Sequence, residues 1–427
     1  MKTLNIGLLG LGTVGCGVVD ILTKNQDIFI KRTGKRARIQ SACVRNISKS
    51  RPVNLGSICL TDNPFDILHD PKIHTVVEVM GGDSAYPFIC EALRQRKHVV
   101  TANKLVVSTY KMELIECAKR QKVGFYFEAS VGGGIPIIHA LNVGYSANRI
   151  QSIYGILNGT TNYILTKMDE AHKSFRGVLK EAQKLGFAEA DPAMDISGLD
   201  AAYKLDILAA VAFKANVSLP QIYYEGIESV GLKDILYAKE FGYTIKLLAI
   251  GRRLKEDFLS FKVYPALIPL SHPLAHVRNE NNAIFISGDA VGDGMIYGKG
   301  AGGLPTASAI VADIIDIAIK HSEDFQHNCE EQLYPAAIYP MEETVSQFYL
   351  RLRVKDRYSV LENIARVFGQ NKVSLLKVIQ KDRVGSDAEL VIVTHRVKEK
   401  NMKQAIADLK ALFSVKTLFS VLRLELT

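Results

Sequence analysis

The residues most able to do chemistry lie between Glu189 and Lys204. Glu189, Asp191, Asp195 and Asp200 precede Lys204 within sixteen positions, and an apolar run from Leu205 to Val211 follows. Asp200 and Lys204 are one helical turn apart, so a helix puts them on one face. Ile196, Leu199, Tyr203, Ile207 and Val211 form an apolar stripe beside them. A lysine braced by an acid can give or take a proton, and a group of acids can hold an ammonium. The plainer reading is a surface ion pair, with Asp195 or Ser197 as N-cap. A second candidate is Asn158-Gly159-Thr160-Thr161-Asn162-Tyr163, which follows a strand-like run from Ile150 to Leu157. Free N–H groups at such a helix start can hold a carboxylate, and Thr160 or Thr161 can cap the helix. Asp191, before Pro192, reads as a turn acid.

These groups need a frame, and the N-terminus supplies its first element. Leu4–Leu9 reads as a buried strand, followed at once by Gly10-Leu11-Gly12-Thr13-Val14-Gly15 and a helix. In that context the three glycines make the turn, open the backbone to a pyrophosphate and let helix pack on strand. Thr13 and Val14 open the helix whose N–H groups face the phosphates. The alternative is a glycine-rich turn without a ligand. A second strand near Ile39–Val44 leads into Arg45, Asn46 and Lys49. An NAD-preferring fold usually ends this strand in an acid, so cations there point to the 2′-phosphate of NADP, with NAD as the alternative. Later strands end at Gly81-Gly82, at Ala102-Asn103-Lys104 and at the Glu128–Gly134 loop. Ligands in open α/β sheets lie beyond such strand ends. Lys104 there either orients nicotinamide or an anionic substrate, or opens the next helix as a surface residue. A second glycine-rich loop, Gly298–Gly303, precedes Pro305 and a helix to about Lys320.

The 427 residues, 48% of them hydrophobic, are enough for two or three domains. No apolar span of membrane length and no signal-peptide pattern is present, and six cysteines are scattered singly, so a reducing cytoplasmic setting is expected. The net charge is +9, and the stretch from Ser346 to Thr427 holds sixteen Lys and Arg against eight Asp and Glu. That basic stretch carries no RNA- or DNA-binding motif, which favours a solvated face over nucleic-acid binding. The fold class is α/β. A dinucleotide-binding domain is expected over 1–140, completed by a helix over 303–322. An α+β substrate and dimerisation domain with a mixed sheet follows over 141–302, then a linker over 323–345. Residues 346–427 have the β-α-β-β-α-β order of a ferredoxin-like domain.

Taken together, the motifs resemble homoserine dehydrogenase over nearly the whole chain. The resemblance rests on Gly10–Gly15, Thr101–Lys104, Glu128–Gly134, Gly155–Tyr163, Glu189–Lys204 and Lys299–Gly302. It implies interconversion of L-aspartate 4-semialdehyde and L-homoserine with NAD(P)H, on the route to threonine, methionine and isoleucine. It also implies residue roles. Lys204 is the general acid/base with Asp200 as partner, and Lys104 contacts cofactor and substrate. Glu189 and Asp195 take the substrate ammonium, while Gly159 and Thr160 suit its carboxylate. Glu128, Val131, Gly133 and Ile135 form the loop for a monovalent cation such as sodium, mostly through main-chain carbonyls. Gly186 and Gly302 join Gly10, Gly12, Thr13, Val14, Gly15, Arg45, Lys49 and Gly81 on the cofactor. The family's substrate domains pair through their sheets, which implies a homodimer or homotetramer. The last eighty residues resemble an ACT domain, whose usual ligand in this setting is threonine. Where ACT domains carry Pro-Gly after Asp-Arg, this chain has Tyr358-Ser359 after Asp356-Arg357. Two readings stay open: a threonine-responsive module, or one that only dimerises.

Overall fold

The structure is a computed structural model that describes residues 1–254, 258–320 and 333–426. The expected linker over 323–345 lies outside the described residues as far as 332, as do the last two positions of the helix expected over 303–322. The chain forms two compact units: one of Met1–Gln151, Tyr203–Pro220 and Asn282–Ala336, the other of Ser152–Ala202, Gln221–Asn281 and Ala337–Thr427.

The first unit is built on six parallel strands: β1 (Thr3–Leu9), β2 (Arg36–Cys43), β3 (Cys59–Thr61), β4 (Thr75–Glu78), β5 (His98–Thr101) and β6 (Phe125–Tyr126). Their order is β3-β2-β1-β4-β5-β6, that of a dinucleotide-binding sheet. Short continuous apolar runs such as Val76-Val77 and Val99-Val100 are fully buried, as strands covered on both faces must be. One face carries the helices Thr13–Lys24 and Gly303–Lys320, and the other carries Tyr86–Arg94 and Lys104–Gln121. Gly17 lets the first two helices close up, since a Cβ there would stand 2.9 Å from Gly303 O. Gly298 and Lys299 differ from expectation: they end a strand, Gly292–Lys299, rather than lying in a loop. That strand is rich in glycine and poor in β-branched residues, so its pattern is silent in sequence.

The second unit holds a mixed sheet. Its strands run in the order Ile150–Ile156, Tyr243–Arg253, Leu259–Pro269, Val415–Leu424, Val345–Lys355, Asp387–Thr394 and Leu375–Val384. Neighbours are antiparallel except at one parallel junction, where Ala266 and Leu267 pair with Arg423 and Leu424. From Val345 onward the elements follow β-α-β-β-α-β, with an added two-residue strand, Val397–Lys398, before the second helix, around their own apolar core, which includes Phe348, Leu350, Ile364, Phe368 and Met402. The basic excess of this stretch meets acids elsewhere in the same unit. Arg351 bonds Asp234, Arg423 bonds Glu225, Lys398 and Lys400 bond Glu343, and Lys403 bonds Glu342. Much of the positive charge is therefore answered within the fold.

Candidate active site

The turn after β1 is shaped by what a side chain would meet there. Gly10 has φ +107°, its N–H donates to Cys43 O at 3.0 Å, and a Cβ would lie 2.9 Å from Val79 O. A Cβ on Gly15 would stand 2.5 Å from Gly10 O. Gly12, the N-cap, is the contrast: a Cβ would meet nothing within 4 Å. The helix it opens has no acid in its first turn, where Thr13 and Val14 sit. Open space, free N–H groups and the positive helix end fit a pyrophosphate.

Beyond β2, Arg45 and Lys49 are placed by a turn that a further arginine ties down. Arg45 and Lys49 are both exposed, just past the buried Val44. Arg51, which no motif singles out, donates to Asn46 O at 2.8 Å and to Lys49 O at 2.6 Å. The turns after β4 and β5 share another unforeseen residue. Glu78 is 0 % exposed. One carboxylate oxygen accepts from the N–H groups of Met80 (2.8 Å) and Gly81 (3.2 Å), the other from Thr101 Oγ1 (2.6 Å). Burial raises its pKa despite these bonds. Gly81 and Gly82, with φ +73° and +77°, complete the turn. Asn103 links it to the next: its Nδ2 donates to Gly82 O at 2.8 Å and its Oδ1 accepts from Val106 N–H. That cap starts the Lys104–Gln121 helix, so Lys104 stands half-buried at its first position.

In the Glu128–Ile135 loop, Glu128 is buried and accepts from the N–H groups of Ile138 (2.8 Å) and His139 (2.6 Å). Burial pushes its pKa up to about 7, and its own N–H donates to the buried Asp313. Val131 and Ile135 are buried in the same loop. Gly133 packs on the second glycine loop, where a Cβ would lie 2.5 Å from Gly300 O. Gly300 covers the buried amide of Asn282, 2.1 Å from where its Cβ would be, and Gly302 has φ +119° at the helix start.

The second unit gathers the other polar group around Asn158. Its Oδ1 caps the helix Gly159–Ala171 by accepting from Thr161 N–H at 2.8 Å. Neither Thr160 nor Thr161 is the cap; asparagine, among the best capping residues, takes the place one step earlier. Asn158 Nδ2 donates to Asp195 Oδ1 at 2.7 Å and to Asp200 Oδ2 at 2.8 Å. Two acids separated in sequence thus meet on one amide. Asp195 is no N-cap for the long helix; it lies inside a short helix of its own, Ala193–Ile196. Asp200 is 2 % exposed and sits in the first turn of the helix Leu199–Phe213, with Lys204 half-buried one turn on. The turn between the acids is clasped from outside. A Cβ on Gly226 would collide with Ile196 O at 2.1 Å, and Ile227 N–H donates to that carbonyl at 2.9 Å. Gly159 is equally constrained, since its Cβ would lie 2.7 Å from Glu280 O. Thr160 Oγ1 donates to Phe187 O at 2.8 Å, and the Tyr163 and Phe187 rings stack, which holds the segment leading to Glu189. Glu189 itself is exposed, and Asp191 accepts from Ala193 N–H as a turn acid. Gly186 has φ +78° and open space around it.

Gly186, Glu189, Asp195, Gly159, Thr160 and Asp200 therefore belong to the second unit. The first glycine turn, Gly81, Lys104, the Glu128 loop, Gly302 and Lys204 belong to the first.

Comparisons with known proteins point to one family over the whole chain. A family model described as "Homoserine dehydrogenase, NAD binding domain" matches residues 10–128, and one described as "Homoserine dehydrogenase" matches residues 136–315. A homoserine dehydrogenase of Neisseria gonorrhoeae is 43% identical, with 100% of this chain and 99% of that protein covered. The crystal structure of a homoserine dehydrogenase from Thiobacillus denitrificans superposes with a TM-score of 0.94 at 43% identity, covering 100% of this chain and 99% of that one. A hyperthermophilic archaeal homoserine dehydrogenase in complex with NADPH matches with a TM-score of 0.62 at 27% identity, over 75% of this chain and 99% of its own. With matching models over both the cofactor turn and the Asn158 constellation, and identity sustained end to end, the chain belongs to the homoserine dehydrogenase family.

Proposed function

We propose that the chain reduces L-aspartate 4-semialdehyde to L-homoserine, preferring NADPH, with Lys204 as proton donor. The observation that carries this reading is the Asn158 amide bonded to both Asp195 and Asp200, one turn before Lys204. The bound nicotinamide supplies the hydride. Charge then develops on the aldehyde oxygen, and Lys204 donates the proton that neutralises it; in the reverse direction it removes the hydroxyl proton. Asp200, immobilised by Asn158, sets the aim of the Lys204 side chain. Asp195 and Glu189 take the substrate ammonium, and the N–H groups at Gly159 and Thr160 take its carboxylate. Lys104 spans cofactor and substrate. Arg45 and Lys49 read the 2′-phosphate, as the tied turn and its lack of an acid favour; the archaeal relative is itself an NADPH complex. Gly10, Gly12, Thr13, Val14, Gly15, Gly81, Gly186 and Gly302 complete the cofactor contacts.

A monovalent cation such as sodium belongs in the loop of Glu128, Val131, Gly133 and Ile135. The buried carboxylate there gains from a nearby positive charge. The last eighty residues act as an ACT-like module. Its turn keeps the backbone that glycine favours: Ser359 has φ +64°, and Tyr358 is fully exposed beside it. That shape supports threonine feedback and subunit pairing, into a homodimer or homotetramer, as the module's work.

The test is NADPH oxidation with aspartate semialdehyde, repeated with NADH and with millimolar threonine. Lys204→Ala should lower kcat ~10²-fold or more. Turnover near that of the parent would sink the proton role. Arg45→Asp should move preference toward NADH; an unchanged ratio removes Arg45 as the reader.

A further inference from the structure

The Lys104–Gln121 helix and the 203–213 part of the Lys204 helix meet in the first unit through a buried ionic knot. Lys111 Nζ donates to Asp206 Oδ2 at 2.6 Å, to Ser108 O at 3.0 Å and to Val217 O at 2.8 Å. Ser108 Oγ donates to the same Asp206 oxygen at 2.6 Å. The side chains of Lys111 and Asp206 are 5% and 0% exposed. None of these residues belongs to the proposed machinery.

We propose that Ser108, Lys111 and Asp206 are positioning residues that fix the Lys204 helix against the helix beginning at Lys104. Lys104, Ser108 and Lys111 stand at i, i+4 and i+7, one face of one helix. Asp206 is two residues past Lys204, about 3 Å along the axis. One knot therefore ties both helices close to their lysines. The surroundings explain why a knot is needed. From Leu205 to Phe213 the only charged residue is Asp206, and the rest are apolar, including the small Ala209 and Ala210. Smooth apolar faces bury well but allow sliding and rotation, and a slip of one residue turns a helix side chain by about 100°. A buried ion pair is a poor source of stability, because desolvation offsets its attraction, but it accepts only one register. The pair is also not fully saturated: Asp206 Oδ1 is buried with no hydrogen-bond partner among the described residues, so the carboxylate is held from one side. The inference rests on the proton role proposed for Lys204, since a misplacement of about 1 Å at such a group can cost ~10²-fold in rate.

The experiment replaces the knot with apolar groups of similar volume, Lys111→Met together with Asp206→Leu, in the full chain. Ser108→Ala and Asp206→Asn serve as milder variants. Binding sites are counted by NADPH fluorescence, so that kcat is expressed per competent site. Expected for the double variant are a melting temperature at or above the parent's and an unchanged KM for NADPH. Its kcat should fall ~10-fold or more. The primary deuterium isotope effect and the pH profile of kcat should both shift. A purely structural pair would change the melting temperature and the fraction of competent sites, but not those profiles. Unchanged kcat, isotope effect and pH profile in the double variant overturn the proposal. If it does not fold, the same result in both milder variants overturns it. Lys204→Ala run alongside separates the two ideas: full turnover there removes the proton role, whereas full turnover only in the knot variants removes only the clamp.

Discussion

Glu78 closes the fourth strand of the first unit with a buried acid, and Asn158 follows the strand Ile150–Ile156 of the second with a buried amide. Both tie loops at strand ends, but they do so with opposite polarity. Glu78 receives hydrogen bonds from neutral donors, two main-chain N–H groups, a hydroxyl and the Asn103 amide, so its carboxylate is spent on shaping the Met80–Gly82 turn. Asn158 gives its amide protons to two acids, Asp195 and Asp200, and so orders charge without cancelling it. A hub that consumes its charge builds a scaffold. A hub that aligns acids through a neutral dipole leaves their negative charge in place. The contrast separates the backbone cradle suited to a cofactor from the acidic group suited to an amino-acid substrate.

The sharpest way to break this comparison is to make the second hub resemble the first. Asn158→Asp keeps an oxygen to cap the helix but loses both donors and adds a third carboxylate. We expect kcat/KM to fall ~10²-fold or more near neutral pH. Crowded carboxylates raise one another's pKa. The variant's stability should then be best at low pH and fall as pH rises through those raised values. Melting curves at about pH 5 and about pH 8 check this against the parent. A variant that melts and turns over like the parent would show that Asn158 only caps.

Gly15→Ala tests the scaffold side. Its Cβ would press on Gly10 O from 2.5 Å and Gly10 C from 3.2 Å, and this backbone has little room to yield. A loss of about 1–3 kcal/mol is expected, with cofactor affinity reduced as a consequence. Glu78→Gln should act more gently and with a definite sign. Burial raises the Glu78 pKa, so the charged form is penalised in the fold. The stability tied to the neutral acid is present at low pH and is lost as pH rises. Glutamine does not titrate, so the variant's melting temperature relative to the parent should climb between about pH 4 and about pH 8. At about 2.1 cal/mol/K of unfolding entropy per residue, about 1 kcal/mol corresponds to about 1 °C in a chain of 427 residues. A flat difference would mean the carboxylate is not under burial strain.

How far these hubs can be read in a sequence depends on where their partners are. The first sheet is legible because strand, glycine turn and helix are consecutive, and each glycine has a local reason. The acids near Lys204 are legible because they cluster. Asn158 and Glu78 are not, since each looks like one polar residue at the end of an apolar strand. The Asn158 bond to Asp200 spans 42 positions, and the Ser108 bond to Asp206 spans 98. No spacing rule covers such distances. Arg51 is hidden for a different reason: its partners are main-chain carbonyls, which every sequence has. The helix cap at Asn158 is within reach of sequence, because asparagine outranks threonine as a cap. The strand Gly292–Lys299 is not, since exposed and glycine-rich residues give no apolar alternation to follow.

The smallest expected change in the fold is at Gly12, and it is the one that isolates the cofactor role. Gly12 has φ −86°, and a Cβ placed on it would meet no atom within 4 Å, so Gly12→Ala brings neither strain nor collision in the chain itself. Its stability should stay within about 0.5 kcal/mol of the parent, the range of an uneventful surface change. The space is open at the helix start, where the free N–H groups are, and a methyl there takes room from a pyrophosphate. KM for NADPH should therefore rise several-fold while the melting temperature without cofactor is unchanged. The Gly15 variant should lose both together. Should Gly12→Ala bind NADPH as tightly as the parent, the open space at this turn is not where the phosphates lie.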